Sequence, residues 1–456
     1  MISEGYKAGM SPYLERRFIV QKIAVIGAGY VGLVTATCLA ELGNRVVCVD
    51  NDPKKLDALK KGVIPIYEPG LKELVLKNKR SKRLTFSHQI AEATRKSDIV
   101  FICVGTPARD NGEADLAAVE KVATQIGKAL NGYKVIVGKS TVPAETGERI
   151  RRTIQLSNPK KFPFDVVSNP EFLREGQAIS DTFKPDRIVL GLDSKRAEKI
   201  MRALYAPIKA PIVVTNIPTA EIIKHACNCF LATKISYINA VAQICERINA
   251  DVEKVAEGMG LDKRIGRSFL NAGAGFGGYC FPKDLDAFIY MAGEKGYDFD
   301  LLKAVRAINA EQAKYLLRKI EKTLWILKDK TIGVLGLSFK PETDDIRNSI
   351  ALDIVKALVA AGAKVKAYDP KAMEKAKEAL PRVKYCANAY EACRDSHCLV
   401  VLTEWKEFVQ LDMAKVRRLL CQPMVIDGRN MFDPAQMKKL GFVYQCVGRE
   451  WVNDEK

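Results

Sequence analysis

A chain of 456 residues is too long for one ordinary core, so two or three domains are expected. Hydrophobic residues at 48% and charged residues at 28% sit in the globular range. No apolar run reaches the length of a membrane span, and Met1 to Arg17 lacks the apolar core of a signal peptide. The net charge of +18 comes from Lys and Arg spread along the chain, apart from a short cluster at Lys77–Arg83. That spread fits a basic enzyme with an anionic substrate better than a nucleic-acid binder.

Residues 1–20 read as an N-terminal extension, with Met10 as an alternative start. Strand-like runs then follow at Ile23–Ile26, Arg45–Val49, Ile99–Val104, Lys134–Val137, Asp165–Val167 and Arg187–Leu190. Helical patterns at Val31–Leu42, Leu116–Leu130 and Thr146–Leu156 alternate with them, which argues for a parallel sheet covered by helices over residues 21–216. From about Thr219 the pattern becomes helical: Ala220–Asn249, Val252–Met259, Leu285–Lys295 and Leu301–Leu324. Residues 217–324 read as a central helical connector suited to an oligomer interface. A second α/β block, 325–456, opens with a strand at Thr331–Leu335, a helix at Ile350–Ala361 and a strand at Lys364–Tyr368. It echoes the first block without its glycine triplet. The fold expected is therefore α/β, with two Rossmann-like domains joined by a long central helix.

Twelve cysteines form no CxxC pair, and three histidines offer no zinc-type spacing, so no metal site is expected. Without a secretory signal the expected setting is a reducing cytoplasm with mostly buried free thiols.

Gly27-Ala28-Gly29-Tyr30-Val31-Gly32 is a GxGxxG directly after a strand and opening a helix. The first glycine makes the tight turn, the second lets a pyrophosphate approach the backbone, and the third permits close helix–strand packing. The helix N-terminus adds unpaired N–H groups. Asp50 closes the next strand, where a carboxylate accepts the ribose hydroxyls and repels a 2′-phosphate. NAD is thus favoured over NADP, with Lys54 and Lys55 nearby.

Gly275-Phe276-Gly277-Gly278-Tyr279-Cys280-Phe281-Pro282-Lys283-Asp284 carries the reactive group. The three glycines are expected to let the backbone pass closely under a ligand. Pro282 fits the first turn of the following helix, which puts Cys280 at a helix N-terminus beside Lys283. Both features are expected to lower the thiol pKa. Asp284 could accept a proton or orient Lys283. Lys224 and Asn228, four apart, share a helix face and could stabilise an oxyanion. On spacing alone, a solvated lysine on an amphipathic face stays the simpler reading.

Together these residues resemble the UDP-glucose/GDP-mannose dehydrogenase family, which oxidises the sugar of a nucleotide sugar. The resemblance covers about Ile23 to Asp433. It runs through GAGYVGL at Gly27, YEPGL at Tyr67, VGTP at Val104, KSTVP at Lys139 and NPEFLREG at Asn169. It continues with FKPDRIVLG at Phe183, the EIIKHACNCFLATKISYINA helix at Glu221, GFGGYCFPKD at Gly275, GLSFKPETDDIRNS at Gly336 and DGRNMFD at Asp427.

The resemblance implies two oxidations at C6 without release of the aldehyde. A water held by Thr141, Lys224 and Asp284 would assist the first proton removal. Cys280 would capture the aldehyde as a thiohemiacetal, a second oxidation would give a thioester, and Glu171 would position the hydrolytic water. Lys224 and Asn228 would hold the oxyanion. The cofactor site implied is Gly27, Gly29, Tyr30, Val31, Gly32, Asp50, Lys55, Val104, Gly105, Thr106, Ser140, Thr141, Glu175, Lys283 and Arg347. Phe172, Leu173, Phe269, Phe276, Gly277 and Phe281 would line the sugar pocket beside Glu171, Lys224, Asn228 and Cys280. Lys340 would contact the uridine diphosphate, Arg429 the sugar or phosphate, and Arg264 would reach the sugar across a homodimer interface built from the central helices. Tyr279 stands where many relatives have serine, and Asn271, a pocket position, where some have lysine.

NPEFLREG and KSTVP look more like the UDP-glucose branch than like dehydrogenases for a UDP-N-acetylhexosamine or GDP-mannose. A single-step dehydrogenase would need neither Cys280 nor the second α/β block. A non-enzymatic NAD- or nucleic-acid-binding protein is favoured only by the net charge. No nucleic-acid or membrane partner is expected.

Overall fold

The computed structural model describes residues 20–452, so the expected N-terminal extension lies almost wholly outside the described residues. Eight strands form the first sheet: β1 (Lys22–Ile26), β2 (Arg45–Val49), β3 (Leu84–Ser87), β4 (Ile99–Ile102), β5 (Lys134–Gly138), β6 (Phe164–Ser168), β7 (Ile188–Gly191) and β8 (Ile212–Thr215). Their order is β3-β2-β1-β4-β5-β6-β7-β8, with all pairs parallel except a single antiparallel bridge, Ser168 to Gly191, between β6 and β7. Six strands form the second: β9 (Thr331–Leu335), β10 (Lys364–Tyr368), β11 (Lys384–Tyr385), β12 (Cys398–Val401), β13 (Met424–Asp427) and β14 (Val443–Cys446). Their order, β11-β10-β9-β12-β13-β14, repeats the first six positions of the other sheet, and every pair is parallel. That order is the doubly wound Rossmann arrangement, whose ligands sit beyond the strands' carboxyl ends.

Both faces of each sheet are buried, which is why the strands read as continuous apolar runs. In β1, Ile23 and Val25 enter the core on one face while Ala24 and Ile26 enter the core on the other. In the second sheet Ile332 and Val400 face one core, Leu335 and Val401 the other.

The central helix spans Ile217–Ile248. Asn216 caps it by accepting from the Thr219 N–H at 2.9 Å, Pro218 occupies its first turn, and Asn249, left-handed at φ 56°, ends it. At helical rise it is about 48 Å long. It packs against the Cys280–Glu294 and Asp300–Leu324 helices. No helix among the described residues is long and apolar enough to cross a membrane.

The two sheets share one local device. In the first, the Oδ2 of Asp50 accepts from Ala28 N–H at 2.7 Å, bracing the glycine turn. In the second, the Oδ2 of Asp369 accepts from Leu337 N–H at 2.8 Å and Ser338 N–H at 3.0 Å. Asp369 also takes Ser338 Oγ, Trp405 Nε1 and the N–H groups of Lys371 and Ala372, and it is fully buried.

Candidate active site

The glycine turn is built as the GxGxxG spacing requires. Gly27 has φ +106°, and a Cβ there would meet the Cys103 carbonyl at 2.6 Å. A Cβ on Gly32 would lie 1.8 Å from the Gly27 oxygen. On Gly29 it would meet nothing within 4 Å, so the middle glycine faces open space at the N-terminus of the Tyr30–Glu41 helix. Such a cradle of free N–H groups fits a dinucleotide pyrophosphate. Asp50 is held ionised: burial disfavours its charge, but the Asp52 and Ala28 N–H groups and the Lys55 ammonium at 3.1 Å together draw its pKa down. Across the sheet's carboxyl edge, Ser140 Oγ donates to the Val104 carbonyl at 2.7 Å and Thr106 Oγ1 to the Thr141 carbonyl at 2.8 Å. These bonds join the VGTP and KSTVP loops into one wall beside Gly105.

A cleft of about 550 Å³ opens next to this wall. Glu171, Phe172, Leu173, Lys224, Asn228, Phe269, Cys280 and Phe281 all line it. Cys280 is the first residue of the Cys280–Glu294 helix, and its side chain opens to the cleft. Lys224 is buried and pairs with Glu171 at 3.2 Å. Asn228 Nδ2 donates to Asp284 Oδ2 at 2.6 Å, while Lys283 Nζ donates to Asp284 Oδ1 at 2.6 Å. Asp284 stands behind the cleft rather than on its wall and fixes the orientation of both partners. Burial disfavours its charge, but Lys283, His225 and Lys224 outweigh that and hold it ionised. Phe276 lies behind Phe281, edge-on at 5.8 Å.

Two expectations are corrected here. The thiol is not activated at rest: depth among protein atoms, then the charge of Glu171, pushes the Cys280 pKa up to about 12, and Lys224 only partly opposes this. Lys283 does not offset it because its charge is spent on Asp284. The glycines before Cys280 do not leave room for a ligand either. A Cβ on Gly277 would strike the Asn348 carbonyl at 2.3 Å, and one on Gly278, at φ +80°, the Phe339 ring at 2.7 Å. They admit the second α/β unit instead.

That unit meets the first at the Arg174–Gln177 turn. Lys340 Nζ donates to the Glu175 carbonyl, Thr343 Oγ1 donates to Glu175 Oε2 at 2.8 Å, and Arg347 lies 3.8 Å from Glu175 Oε1. Burial, then Asp345, raises Glu175 to a pKa of about 7. Tyr279 stacks beneath the Arg347 guanidinium at 4.3 Å. Glu68, in the YEPGL block, accepts from the Tyr30 hydroxyl and from the N–H groups of Gly176 and Ala178, tying the same turn to the cofactor helix. Arg429 spans three loops, donating to the carbonyls of Leu402, Gly275 and Phe339. Arg264 points outward, 88% exposed, onto its own Asp262, and Asn271 accepts from Arg267; neither lines the cleft.

Sequence reasoning missed Lys139 and Arg187. Lys139 lines the cleft with its ammonium on the Asn169 carbonyl (3.3 Å) and Oδ1 (3.2 Å), and burial lowers its pKa to about 8. Arg187 lies 3.7 Å over the Phe172 ring. Both fall inside blocks quoted for the resemblance, and Lys139 directly precedes the expected site residues Ser140 and Thr141, a signal that could have marked it. All twelve cysteines are free, and no group among the described residues could hold a metal ion.

Three family models match in order: the NAD binding domain over residues 21–209, the central domain over 218–311 and the UDP binding domain over 333–434. A UDP-glucose 6-dehydrogenase of Bacillus subtilis is 52% identical over 434 residues, 95% of this chain and 94% of that one. One from Rhizobium meliloti is 45% identical over 94% of this chain and 99% of that one. Among solved structures, a UDP-glucose dehydrogenase of the archaeon Pyrobaculum islandicum superposes with a TM-score of 0.90 at 38% identity, covering 97% of this chain and all of that one. A UDP-D-ManNAc dehydrogenase from Pyrococcus horikoshii superposes at 0.82 with 26% identity, over 94% of this chain and 99% of that one. With cofactor cradle, thiol cleft and second nucleotide unit matched in sequence order, the chain belongs to the UDP-glucose/GDP-mannose dehydrogenase family and is an NAD-dependent oxidoreductase.

Proposed function

We propose that the enzyme oxidises UDP-glucose twice at C6 to UDP-glucuronate, using two NAD⁺ per sugar. The observation that carries this reading is Cys280, standing in the cleft within one charged constellation with Lys224, Glu171, Asn228 and Asp284. The identity of the relatives at 45–52% supports glucose as the sugar.

Gly27, Gly29 and Gly32 with Asp50 would hold NAD⁺, which when bound would supply the hydride acceptor for each oxidation. In the first, the C6 hydroxyl loses its proton to a water held by Lys224 and Thr141, with Asp284 acting from behind the cleft wall through Asn228, leaving the aldehyde. In the second, the Cys280 thiol adds to the aldehyde, its proton leaving as the C–S bond forms, and loss of hydride from the thiohemiacetal gives the thioester. Water placed by Glu171 then cleaves the C–S bond, releasing the acid and restoring the thiol. Lys224 and the Asn228 amide stabilise the oxyanions on either side of that step. Lys340 and Arg429 hold the nucleotide on the second unit; Phe172, Leu173, Phe269, Phe276 and Phe281 shape the sugar pocket.

The raised thiol pKa suits this sequence. A neutral thiol survives until the aldehyde arrives, and Lys224, paired with Glu171, supplies the positive charge that favours the thiolate.

A homodimer through the central helix is part of the proposal. Phe230, Tyr237 and Ile244 recur every seven residues on that helix, Ile248 follows four later, and all are exposed. Leu261 and Ile265 are exposed next to Arg264, which would have to leave Asp262 to reach a partner's cleft.

Purified enzyme should form two NADH per UDP-glucose, read by absorbance. A yield of one, or turnover only with another nucleotide sugar, overturns the assignment. Cys280→Ser should form no acid, and full activity in that variant would remove the thiol from the chemistry.

A further inference from the structure

A second hollow, of about 390 Å³, shares no lining residue with the Cys280 cleft. It lies where the end of the central helix meets the Asp300–Leu324 helix and the segment after β14. Arg318, Lys319 and Lys322 project into it from the helix and Arg449 from the segment. The carboxylates on its wall are Glu246 and Glu450. Glu246 is already engaged, by Lys319 Nζ at 2.8 Å and by the Gly448 N–H at 2.7 Å.

In a chain of net charge +18, a basic hollow alone means little. The unpaired donors mean more. Arg449 spends Nη2 on the Phe432 carbonyl (3.1 Å) and the Tyr444 hydroxyl (3.3 Å), yet its buried Nε has no hydrogen-bond partner among the described residues. The buried Nε1 of Trp451 has none among the described residues either. Few buried side-chain polar atoms among the described residues lack a partner, and these two N–H donors line the same hollow. A buried donor without an acceptor is costly and calls for an occupant. Aromatic faces also hold the cations in place: Lys322 lies 4.7 Å over the Trp451 ring and Lys319 5.1 Å over the Tyr315 ring.

We propose that this hollow binds a small phosphorylated anion. Guanidinium forks match phosphate oxygens, the indole N–H supplies one further donor, and the cations exceed the carboxylates. The volume suits a phosphate or pyrophosphate with at most a small organic group, not a macromolecule.

Trp451 itself is the reporter. Full-length enzyme at constant ionic strength is titrated with inorganic pyrophosphate and, separately, with glucose 1-phosphate, following tryptophan emission. The expected result is a saturable change that is absent in Trp451→Phe. In the Arg318→Gln/Lys322→Gln double variant, affinity should be at least tenfold weaker while turnover of UDP-glucose stays within twofold of the parent. Saturation by pyrophosphate alone assigns an inorganic ligand, and saturation by the sugar phosphate as well assigns an organic one. No saturable change with either, or equal affinity in the double variant, overturns the site.

Discussion

Cys280 shows how far a single residue can be read before folding. Its glycine-rich approach, Pro282 and the following helix placed the thiol on a first turn, and it is there. The direction of its pKa was not legible. Glu171, distant in sequence, faces the thiol and also engages Lys224, a pairing that only the folded chain makes, while Lys283 is committed to its neighbour Asp284. With its pKa pushed well above neutral, the Cys280 thiol stays largely protonated at pH 8. Alkylation of Cys280 by iodoacetamide, followed by peptide mass mapping without substrates, should therefore climb steadily, about tenfold per unit, from pH 7 to pH 10. A plateau near pH 7 to 8 would show a preformed thiolate.

At the scale of elements, the segments flanking a recognised motif read well, while many short strands and surface helices did not. The strands at Arg45–Val49, Thr331–Leu335 and Lys364–Tyr368 and the Thr146–Leu156 helix have the expected bounds. The interior strands Cys398–Val401 and Met424–Asp427 of the second sheet and the helix at Lys195–Tyr205 were missed, as were the helices at Pro53–Lys61 and Leu71–Arg80 and the edge strands Leu84–Ser87 and Ile212–Thr215. The two edge strands are only four residues long and lie at the outer edges of the first sheet, where one-sided packing weakens the apolar signal. The Cys280 helix starts five residues before Leu285, where the periodic pattern begins, and so takes in the Pro282 turn. The glycine turn makes a paired prediction. Gly32→Ala drives a methyl into the Gly27 carbonyl, which cannot yield without moving the turn. It should cost about 1–3 kcal/mol and lower the melting temperature. Gly29→Ala enters open space at an ordinary φ of −73°, so stability should stay near the parent while NAD⁺ affinity falls. Thermal denaturation and an NAD⁺ titration of both variants separate the two effects; equal melting losses would refute the division of roles.

For the whole molecule, the expected two-sheet architecture with a central helix matches the arrangement found. What composition could not reveal is the seam, since the GFGGYC glycines touch Phe339 and Asn348 only once both sheets are formed. Assembly belongs to this scale as well. If the stripe through Phe230, Tyr237 and Ile244 seats a second copy, Tyr237→Glu/Ile244→Glu should sediment as a monomer at micromolar concentration and lose most of its turnover, because Arg264 would no longer reach a partner. A parent enzyme that sediments as a monomer would exclude the interface.

Asp50 and Asp369 stand at the same point of two similar sheets but have different capacities left. Asp50 receives Ala28 N–H, Asp52 N–H and Lys55, and so keeps room for hydroxyl donors from outside. Asp369 receives six donors from its own half, Trp405 among them, and sits sealed from solvent. Grafting a glycine triplet into the Gly336 turn would thus not create a second redox site, because the carboxylate that should greet a ribose has been conscripted as masonry. The division of labour between the halves is written into that saturation, and undoing it would mean dismantling the Trp405 wall before a single glycine mattered.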